Sequence, residues 1–412
     1  MVSGEGEQSC KDTKSIKRQV AATKRSYRPC ELTEKTCQKN KFLQCNSIKK
    51  RQKINSMKII ITGGGTGGHL FPGIAIAREF QKRDHKIKIL FVGTRKGIEF
   101  KVLPKEKLEL KTILSSGLKG RLSWRILIAL GEIPIALLQS LWILINFRPK
   151  LVLGVGGYVT GPFVLMAWVL RIPTAIQEQN SMPGMTNRIL GRIVDKIFVT
   201  SEKSKKHFPE KKAEVTGNPI REEYYEDKAK TKESRFNVLI FGGSRGASSI
   251  NHAMVEALDF LPEDKDSLHF IHQTGEEQFQ TVQTRYRSKN ISAEVSPFIF
   301  NMADAYRRSN LVICRAGAST IAELTACGRA AILVPYPFAA NNHQELNAEY
   351  LVEQGAAVMV KDSELSGKKL AELIKQLMHQ LNQISEMEKA SARMAKKDAG
   401  EKVVDQCYEL IA

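Results

Sequence analysis

Short runs of apolar residues alternate with longer amphipathic segments from residue 57 to the end of the chain. The runs at 58–62, 151–153 and 237–241 are almost continuously aliphatic or aromatic, which is typical of strands buried on both faces of a sheet. A segment with helical spacing follows each run. This alternation predicts parallel sheets that are covered by helices on both faces.

The same pattern predicts the order of the elements. We predict strands at 58–62, 87–92, 110–114, 151–153, 173–177, 196–200, 237–241, 268–272, 310–313 and 331–334. We predict helices at 71–83, 123–147, 162–170, 184–193, 248–259, 276–287 and 320–327, with closing helices within 364–411. Gly217 and Pro219 interrupt both periods, so we interpret 216–221 as a hinge. The repeated pattern on either side predicts two similar nucleotide-fold domains that face a cleft.

The domain boundaries follow from these breaks. We place one domain at 57–217, a second at 218–385, and a closing segment at 386–412 that returns to the first domain. Residues 1–56 are polar, rich in lysine and without a sustained period, which predicts a disordered basic extension. Two interpretations of it stay open: a dispensable tail before a true start at Met57, or a basic transit peptide. Transit peptides are usually poor in acidic residues, and five are present here, so the first is favoured.

Charge narrows the class of partner. The chain has 412 residues and a net charge of +20. Residues 1–56 hold 14 Lys and Arg against 5 Asp and Glu, a net of +9, and the remainder is also basic. An anionic partner is therefore expected: nucleic acid, acidic lipid or a phosphorylated substrate. With 7% aromatic residues and much of the excess charge in the extension, nucleic acid is the weakest of these.

Cysteine usage indicates a reducing compartment. The chain has seven cysteines, an odd number, and none forms a C-x-x-C unit. This pattern argues against both a disulfide scaffold and a zinc site.

Three glycine-rich turns, at 63–69, 156–161 and 242–247, each join a predicted strand to a predicted helix. Such turns present backbone N–H groups and a helix N-terminus to an anion. The first formally matches the dinucleotide fingerprint. That fingerprint also requires an acidic residue at the end of the second strand, where this chain has Gly93, Thr94 and Arg95. A nicotinamide-dependent oxidoreductase is therefore disfavoured.

Two further segments bear on the predicted chemistry. Asp264 and Asp266 form the type of pair that holds a metal under a sugar nucleotide, but they precede their strand, so no metal is expected. The apolar stretch 126–147 is interrupted by Glu132 and Pro134, which disfavours a membrane span and predicts a pair of core helices. The segment just before it is predicted to contact lipid through Leu118, Lys119, Arg121, Trp124 and Arg125.

The motifs together resemble one enzyme family. Gly64-Gly-Thr-Gly-Gly-His-Leu-Phe-Pro-Gly73, Gly154-Val-Gly-Gly-Tyr-Val-Thr-Gly-Pro162, Gln177-Glu-Gln-Asn180, Thr216-Gly-Asn-Pro-Ile-Arg221, Gly242-Gly-Ser-Arg-Gly-Ala247, Cys314-Arg-Ala-Gly-Ala-Ser-Thr-Ile-Ala-Glu323 and Asn341-Asn-His-Gln344 are similar, in the same order, to motifs of the MurG glycosyltransferases. The resemblance covers residues 57 to about 410. It implies a GT-B fold and the inverting transfer of N-acetylglucosamine from UDP-N-acetylglucosamine to the muramyl 4-hydroxyl of lipid I. A GT-B enzyme acting on another lipid, such as diacylglycerol, stays the alternative.

The resemblance also implies site residues. It makes 57–217 the acceptor and membrane-side domain and 218–385 the domain that binds the UDP-sugar. Its substrate-binding residues are Thr66, Gly67, Gly68, Asn180, Arg221, Ser244, Ile299, Ala318, Ser319, Thr320, Glu323 and Gln344. No metal or cofactor is implied. The expected location is the cytoplasmic face of the bacterial inner membrane, where an anionic surface and lipid I are the partners.

Two of these residues carry an argument from their own chemistry. His69 ends the first glycine turn, and imidazole, with an ordinary pKa near 6.5, suits a general base at neutral pH. The resemblance assigns His69 this catalytic role. Glu323 has two interpretations: Thr320-x-x-Glu323 is a capping box, whereas the resemblance gives the carboxylate to the ribose hydroxyls of UDP.

Overall fold

The computed structural model describes residues 56–115, 124–226, 235–243, 246–339 and 342–412, with the backbone alone for 124–130. Within these residues the fold has two parallel sheets. The first has the strand order β3-β2-β1-β4-β5-β6-β7 and the second has the order β10-β9-β8-β11-β12-β13. Both sheets are flanked by helices, so the predicted two-domain α/β class is confirmed.

The strands of the first sheet are β1 (Lys58–Gly63), β2 (Lys88–Gly93), β3 (Glu109–Thr112), β4 (Leu151–Gly156), β5 (Thr174–Glu178), β6 (Lys196–Val199) and β7 (Ala213–Val215). Those of the second are β8 (Phe236–Phe241), β9 (Leu268–Gln273), β10 (Ala293–Ser296), β11 (Leu311–Cys314), β12 (Ala330–Leu333) and β13 (Ala357–Met359). The central strands carry side chains buried on both faces, as Ile59, Ile60 and Ile61 show. This double burial explains their continuous apolar runs.

The helices of the first domain are α1 (Gly67–Arg83), α2 (Glu99–Val102), α3 (Trp124–Phe147), α4 (Thr160–Val169), α5 (Met185–Leu190) and α6 (Glu202–Lys205). Those that follow are α7 (Ser248–Ala257), α8 (Phe279–Ser288), α9 (Met302–Arg308), α10 (Ala318–Ala326), α11 (His343–Glu353), α12 (Gly367–His379), α13 (Leu381–Arg393) and α14 (Ala399–Ile411). Helices α1, α4, α7 and α10 each begin after a strand of a sheet centre. Their N-termini therefore lie at the carboxyl edges of the two sheets.

The final helix packs on the first domain. Val403, Val404 and Cys407 of α14 are buried in the same apolar cluster as Ile74 and Phe80 of α1. The rings of Phe80 and Tyr408 lie 5.7 Å apart. The chain thus crosses between the domains twice, and the crossings touch: the hydroxyl of Tyr225 donates to the carbonyl of Lys396 at 3.0 Å.

The long apolar stretch differs from the prediction. It forms one helix, α3, with Pro134 inside it, rather than a pair of helices. Only part of it is core: Ile143 and Leu144 are buried, whereas Leu138 and Trp142 are 66% and 62% exposed. Among the described helices, none is both long and apolar enough to cross a membrane.

Candidate active site

The first two glycine turns pack against each other through their backbones. The N–H of Gly64 donates to the carbonyl of Gly156 at 3.3 Å. Gly156 has a φ of +99°, and a Cβ there would lie 2.7 Å from Nδ1 of His69. Glycine is therefore required at this position both for the backbone conformation and to admit the imidazole ring.

His69 lies in the first turn of α1 and is half-buried. Its Nδ1 is 2.9 Å from Oε1 of Gln179, which follows β5. The carboxyl ends of β1 and β5 are thus joined by a side-chain hydrogen bond between residues 110 positions apart. This contact leaves Nε2 as the nitrogen available to a substrate.

A buried carboxylate lies behind the first glycine turn. Glu99 is fully buried, and it accepts hydrogen bonds from the N–H of Gly65 and of Thr94, both at 2.8 Å. The hydroxyl of Thr94 donates to the same carboxylate at 2.9 Å. Because the Gly65 N–H is occupied, anion-binding donors of this loop must come from Thr66, Gly67 and Gly68, the residues predicted to bind substrate.

The two domains meet at this loop. Pro72 lies inside α1 and has no N–H, so the carbonyl of Gly68 loses its partner within the helix. That carbonyl accepts a hydrogen bond from the hydroxyl of Ser319, in the first turn of α10, at 3.2 Å. Ala318 and Thr320 flank Ser319 in the same turn. The predicted donor-side helix and the predicted acceptor loop therefore lie in contact.

Arg221 and Glu323 share one cluster. The guanidinium of Arg221 lies over the rings of Phe71 and Tyr224, at 5.2 and 5.3 Å, and donates to the hydroxyl of Tyr224 at 2.9 Å. Burial raises the pKa of Glu323 to about 7, while the charge of Arg221 and hydrogen bonding from Tyr224 oppose that rise. A carboxyl with a raised pKa beside a cleft is typical of a functional site.

The capping-box interpretation of Glu323 is wrong. Helix α10 begins at Ala318 with Gly317 as its N-cap residue, and no side chain caps it. Thr320 is therefore inside the first turn rather than at the cap, so Glu323 lies one turn too late to complete the motif.

Gln273 ties together the other elements predicted to hold the donor. Its Nε2 donates to the carbonyl of Gly243 in the third glycine turn at 2.9 Å. Its Oε1 accepts the N–H of Ile299 at 2.8 Å, so this contact uses the N–H of Ile299 and not its carbonyl, the group predicted to meet uracil. Ser244, the other predicted residue of this turn, lies outside the described residues.

The remaining predicted residues divide as follows. Oε1 of Gln344 accepts the N–H of Tyr336 at 3.0 Å, and this bond does not use its Nε2. Nδ2 of Asn180 donates to Glu178 at 3.1 Å, and this bond does not use Oδ1 of the same amide. Leu118, Lys119 and Arg121 lie outside the described residues, as do the side chains of Trp124 and Arg125. Within the described residues, no group of three His, Cys, Asp or Glu is placed to hold a metal ion.

Comparison with known proteins decides the family. The glycosyltransferase family 28 N-terminal domain matches residues 59–199, and the C-terminal domain of the same family matches residues 237–403. A UDP-N-acetylglucosamine–N-acetylmuramyl-(pentapeptide) pyrophosphoryl-undecaprenol N-acetylglucosamine transferase of Myxococcus xanthus is 48% identical over 86% of this chain and 93% of its own length. The chain belongs to the MurG family.

Further comparisons agree with membership of the MurG family. A transferase of the same name from Syntrophus aciditrophicus is 47% identical over 86% of this chain and 99% of its own length. The crystal structure of Acinetobacter baumannii MurG superposes with a TM-score of 0.68 at 30% identity, covering 86% of this chain and 99% of that one. The predicted GT-B fold is thereby confirmed.

Several residues of this MurG-family site were not predicted from the sequence. Glu99, Gln179 and Gln273 bind no predicted ligand; each holds a predicted loop from behind. Gln179 lies inside a recognised motif, so its position was a signal. Glu99 and Gln273 lie in ordinary helix and strand segments, and nothing local distinguishes them from other buried polar residues.

Proposed function

We propose that this chain transfers N-acetylglucosamine from UDP-N-acetylglucosamine to the muramyl 4-hydroxyl of lipid I, with inversion, and that His69 is the general base. The observation that carries the proposal is the placement of His69. It lies in the glycine loop whose Gly68 carbonyl contacts Ser319 of the donor-side helix. A base at this position lies between the proposed acceptor loop and the proposed donor-side helix.

The reaction needs few groups. Nε2 of His69 takes the proton of the 4-hydroxyl as its oxygen attacks the anomeric carbon from the face opposite the nucleotide. The bond from that carbon to the diphosphate oxygen breaks, and UDP leaves with the electron pair. The N-terminus of α7 and the third glycine turn supply backbone donors for the diphosphate charge. Glu323 accepts the ribose hydroxyls, and Arg221, Gln344 and the Ile299 carbonyl complete the donor site.

The His69→Ala variant tests the catalytic role. We expect turnover of a soluble lipid I analogue to fall by about 10²- to 10⁴-fold, because a general base typically contributes that factor. Binding of UDP-N-acetylglucosamine, measured by calorimetry, should stay unchanged. His85→Ala, on an exposed turn, is the matched control. Near-normal turnover of the His69→Ala variant would exclude His69 as the base. Transfer by the wild type to diacylglycerol but not to the lipid I analogue would exclude lipid I as the acceptor.

We propose that the two domains bind different substrates. Residues 57–217 carry the acceptor loop and the lipid-facing surface, and residues 218–385 carry the UDP-sugar site. The segment 386–412 contains α14, whose buried face belongs to the apolar cluster of the first domain. That return makes the first domain depend on the last residues of the chain.

An anionic membrane surface is the proposed third partner. On α3, Leu138, Trp142 and Ile145 are more than half exposed, and Nζ of Lys111 lies 5.2 Å from the ring centre of Trp142. Helix α4, packed on α3, exposes Trp168. An apolar face with a basic residue beside it suits a lipid surface. We propose that this face and the basic segment 118–125 attach the enzyme to the cytoplasmic face of the inner membrane.

Vesicle sedimentation tests the attachment. We expect Leu138→Ser combined with Trp142→Ser to reduce binding to phosphatidylglycerol vesicles. Serine substitution of Lys119, Arg121 and Arg125 should remove chiefly the salt-sensitive part, because each basic residue contributes on the order of 1 kcal/mol at an anionic surface. Leu381→Ser, at an exposed leucine of the second domain, is the control. Unaltered binding in both sets of variants would place the contact elsewhere.

A further inference from the structure

We propose that Gln179 is a positioning residue that holds His69 in the tautomer protonated on Nδ1, so that Nε2 carries the lone pair that faces the acceptor hydroxyl. The inference rests on the proposed role of His69. It concerns which nitrogen is the base and what determines that choice.

The orientation of the Gln179 amide decides the tautomer. Its nitrogen end lies 2.8 Å from the carbonyl of Val155, a group that can only accept a hydrogen bond. The Nε2 end must therefore face Val155, and the Oε1 end must face His69, at 2.9 Å. Since an amide oxygen can only accept, Nδ1 of His69 is the donor. The proton is thus on Nδ1 in the neutral imidazole.

The side-chain amide of Gln177 holds the Gln179 amide in this orientation. Nε2 of Gln179 also donates to Oε1 of Gln177, and Nε2 of Gln177 donates to Oδ1 of Asn218 at 3.2 Å. The exposed fractions of Gln177, Gln179 and Asn218 are 0%, 2% and 2%. Rotating the Gln179 amide by half a turn would put its oxygen against the Val155 carbonyl. That would leave buried polar groups unpaired, so the observed orientation is strongly preferred.

The far end of this chain of amides is the segment that joins the two domains. Asn218 lies in the predicted hinge 216–221, next to Gly217, whose φ is +91°. The imidazole is therefore held relative to the interdomain segment and not only to its own loop. Every member of the chain is uncharged. A carboxylate in the place of Gln179 would favour the imidazolium form, which cannot accept a proton.

The first test reads the tautomer directly. The full-length protein, labelled with ¹⁵N-histidine, should show His69 unprotonated at Nε2 at high pH, with His69→Asn used to assign the signal. In Gln179→Met, which is close in size, we expect a mixture of tautomers or the reverse one. Asn237→Leu is the matched control, because Asn237 is also a buried amide, 1% exposed, at the start of β8. An unchanged tautomer in Gln179→Met overturns the inference, whatever its activity.

The second test separates positioning from simple loss of structure. We expect Gln179→Met to lower kcat by about 10- to 100-fold, the range typical of metal-binding histidines that lose the partner orienting the ring, with the KM for UDP-N-acetylglucosamine unchanged. In Gln179→Glu the acidic limb of the pH profile of kcat should move to higher pH, with activity recovered above it. A pH profile identical to that of the wild type overturns the inference. Failure of the proposed function is recognised separately, because His69→Ala would then stay active while the tautomer readout still reports the contact.

Discussion

Replacing Glu323 by glutamine separates its role in stability from its role in binding. Burial holds the pKa of this carboxyl at about 7, against a usual value of 4.5. Between these two pH values the folded chain binds more protons than the unfolded chain. The free energy of unfolding therefore falls as the pH rises from 4.5 to 7, and the full cost of the charge is present above pH 7.

The size of the effect can be bounded from the structure. A carboxyl whose pKa rises from 4.5 to about 7 costs up to roughly 3 kcal/mol when ionised, at about 1.4 kcal/mol per tenfold change in proton affinity. Glu323 is only partly buried in the cleft, so solvent screening reduces this to roughly half. Glu323→Gln should thus raise the melting temperature by a few degrees at pH 8.5 and by less than half as much at pH 5.5, because pH 5.5 lies only part of the way from 4.5 to 7.

Glu323→Gln should weaken the binding of UDP-N-acetylglucosamine while it raises stability. A carboxylate that accepts two ribose hydroxyls loses one acceptor and its charge in Glu323→Gln, and hydrogen bonds to charged groups contribute about 1.5–3 kcal/mol. We expect a roughly 10- to 100-fold weaker affinity for UDP-N-acetylglucosamine at pH 8. In the wild type this affinity should strengthen as the pH rises through 7, and the variant should lack that dependence.

Calorimetry at pH 8 measures the change in affinity for UDP-N-acetylglucosamine, and thermal melts at pH 5.5 and 8.5 measure the change in stability. Glu294→Gln is the control: Arg308 holds the pKa of Glu294 below its usual value, so its removal should lower stability at neutral pH without affecting the donor. Wild-type affinity in Glu323→Gln at pH 8 would refute the ribose assignment. An equal melting-temperature difference at pH 5.5 and 8.5 would refute the raised pKa.

Two further predictions concern the cleft and the extension. Ser319→Ala removes the hydrogen bond to Gly68 and should weaken contact between the domains, so we expect kcat/KM to fall by a few-fold while the melting temperature stays within about 2 °C of the wild type. Ser366→Ala, at the N-cap of α12, is the control. Equal kinetics in the two variants would contradict a role for the Ser319 contact. A chain starting at Met57 should fold and keep full activity on a soluble acceptor, because β1 begins at Lys58 and the motifs begin at Gly63; an unfolded product would show that residues 1–56 belong to the fold.

The sequence predicted every strand inside the two sheets and the edge strand β3, within the described residues. Burial on both faces gives β1, β4 and β8 long aliphatic runs, and their positions were predicted to within a few residues. The edge and outer strands β7, β10 and β13 were missed. Each has only three or four residues. In β7 and β10 a glutamate interrupts the apolar positions, whereas β13 lies in the short apolar run 356–360, which the prediction overlooked. Local pattern contains little information on such strands because their neighbours in the sheet stabilise them.

Helix α3 shows where burial cannot be deduced from hydropathy. Its apolar character predicted core packing, and Ile143 is indeed buried, but Trp142 is exposed beside it. Adjacent residues of a helix point in different directions, so an all-round apolar helix does not reveal which side the fold covers. Pro134 did not divide the helix, although proline inside a helical pattern was the reason for predicting two.

The site shows the same limit at the level of side chains. Glycine turns and a histidine at a turn are local signals, and the predicted substrate site rests on them. The partners that orient these groups are distant in the chain: Gln179 and His69 are separated by 110 positions, and Glu99 and Gly65 by 34. A single sequence contains no record of such pairs. Only the fold brings the carboxyl ends of β1 and β5 together, so these contacts required the structure.

The contact between Gly68 and Ser319 connects the local chemistry to the two-domain architecture. Pro72 removes one hydrogen bond from α1, and the carbonyl it releases is the group that Ser319 reaches from α10. The same loop carries His69, whose orientation is linked through amides to Asn218 in the interdomain segment. If the cleft opened, Ser319 would leave Gly68, and the proposed base would no longer lie beside α10. Contact between the domains and placement of the proposed base therefore depend on the same few residues, and the proposed mechanism predicts that catalysis requires a closed cleft.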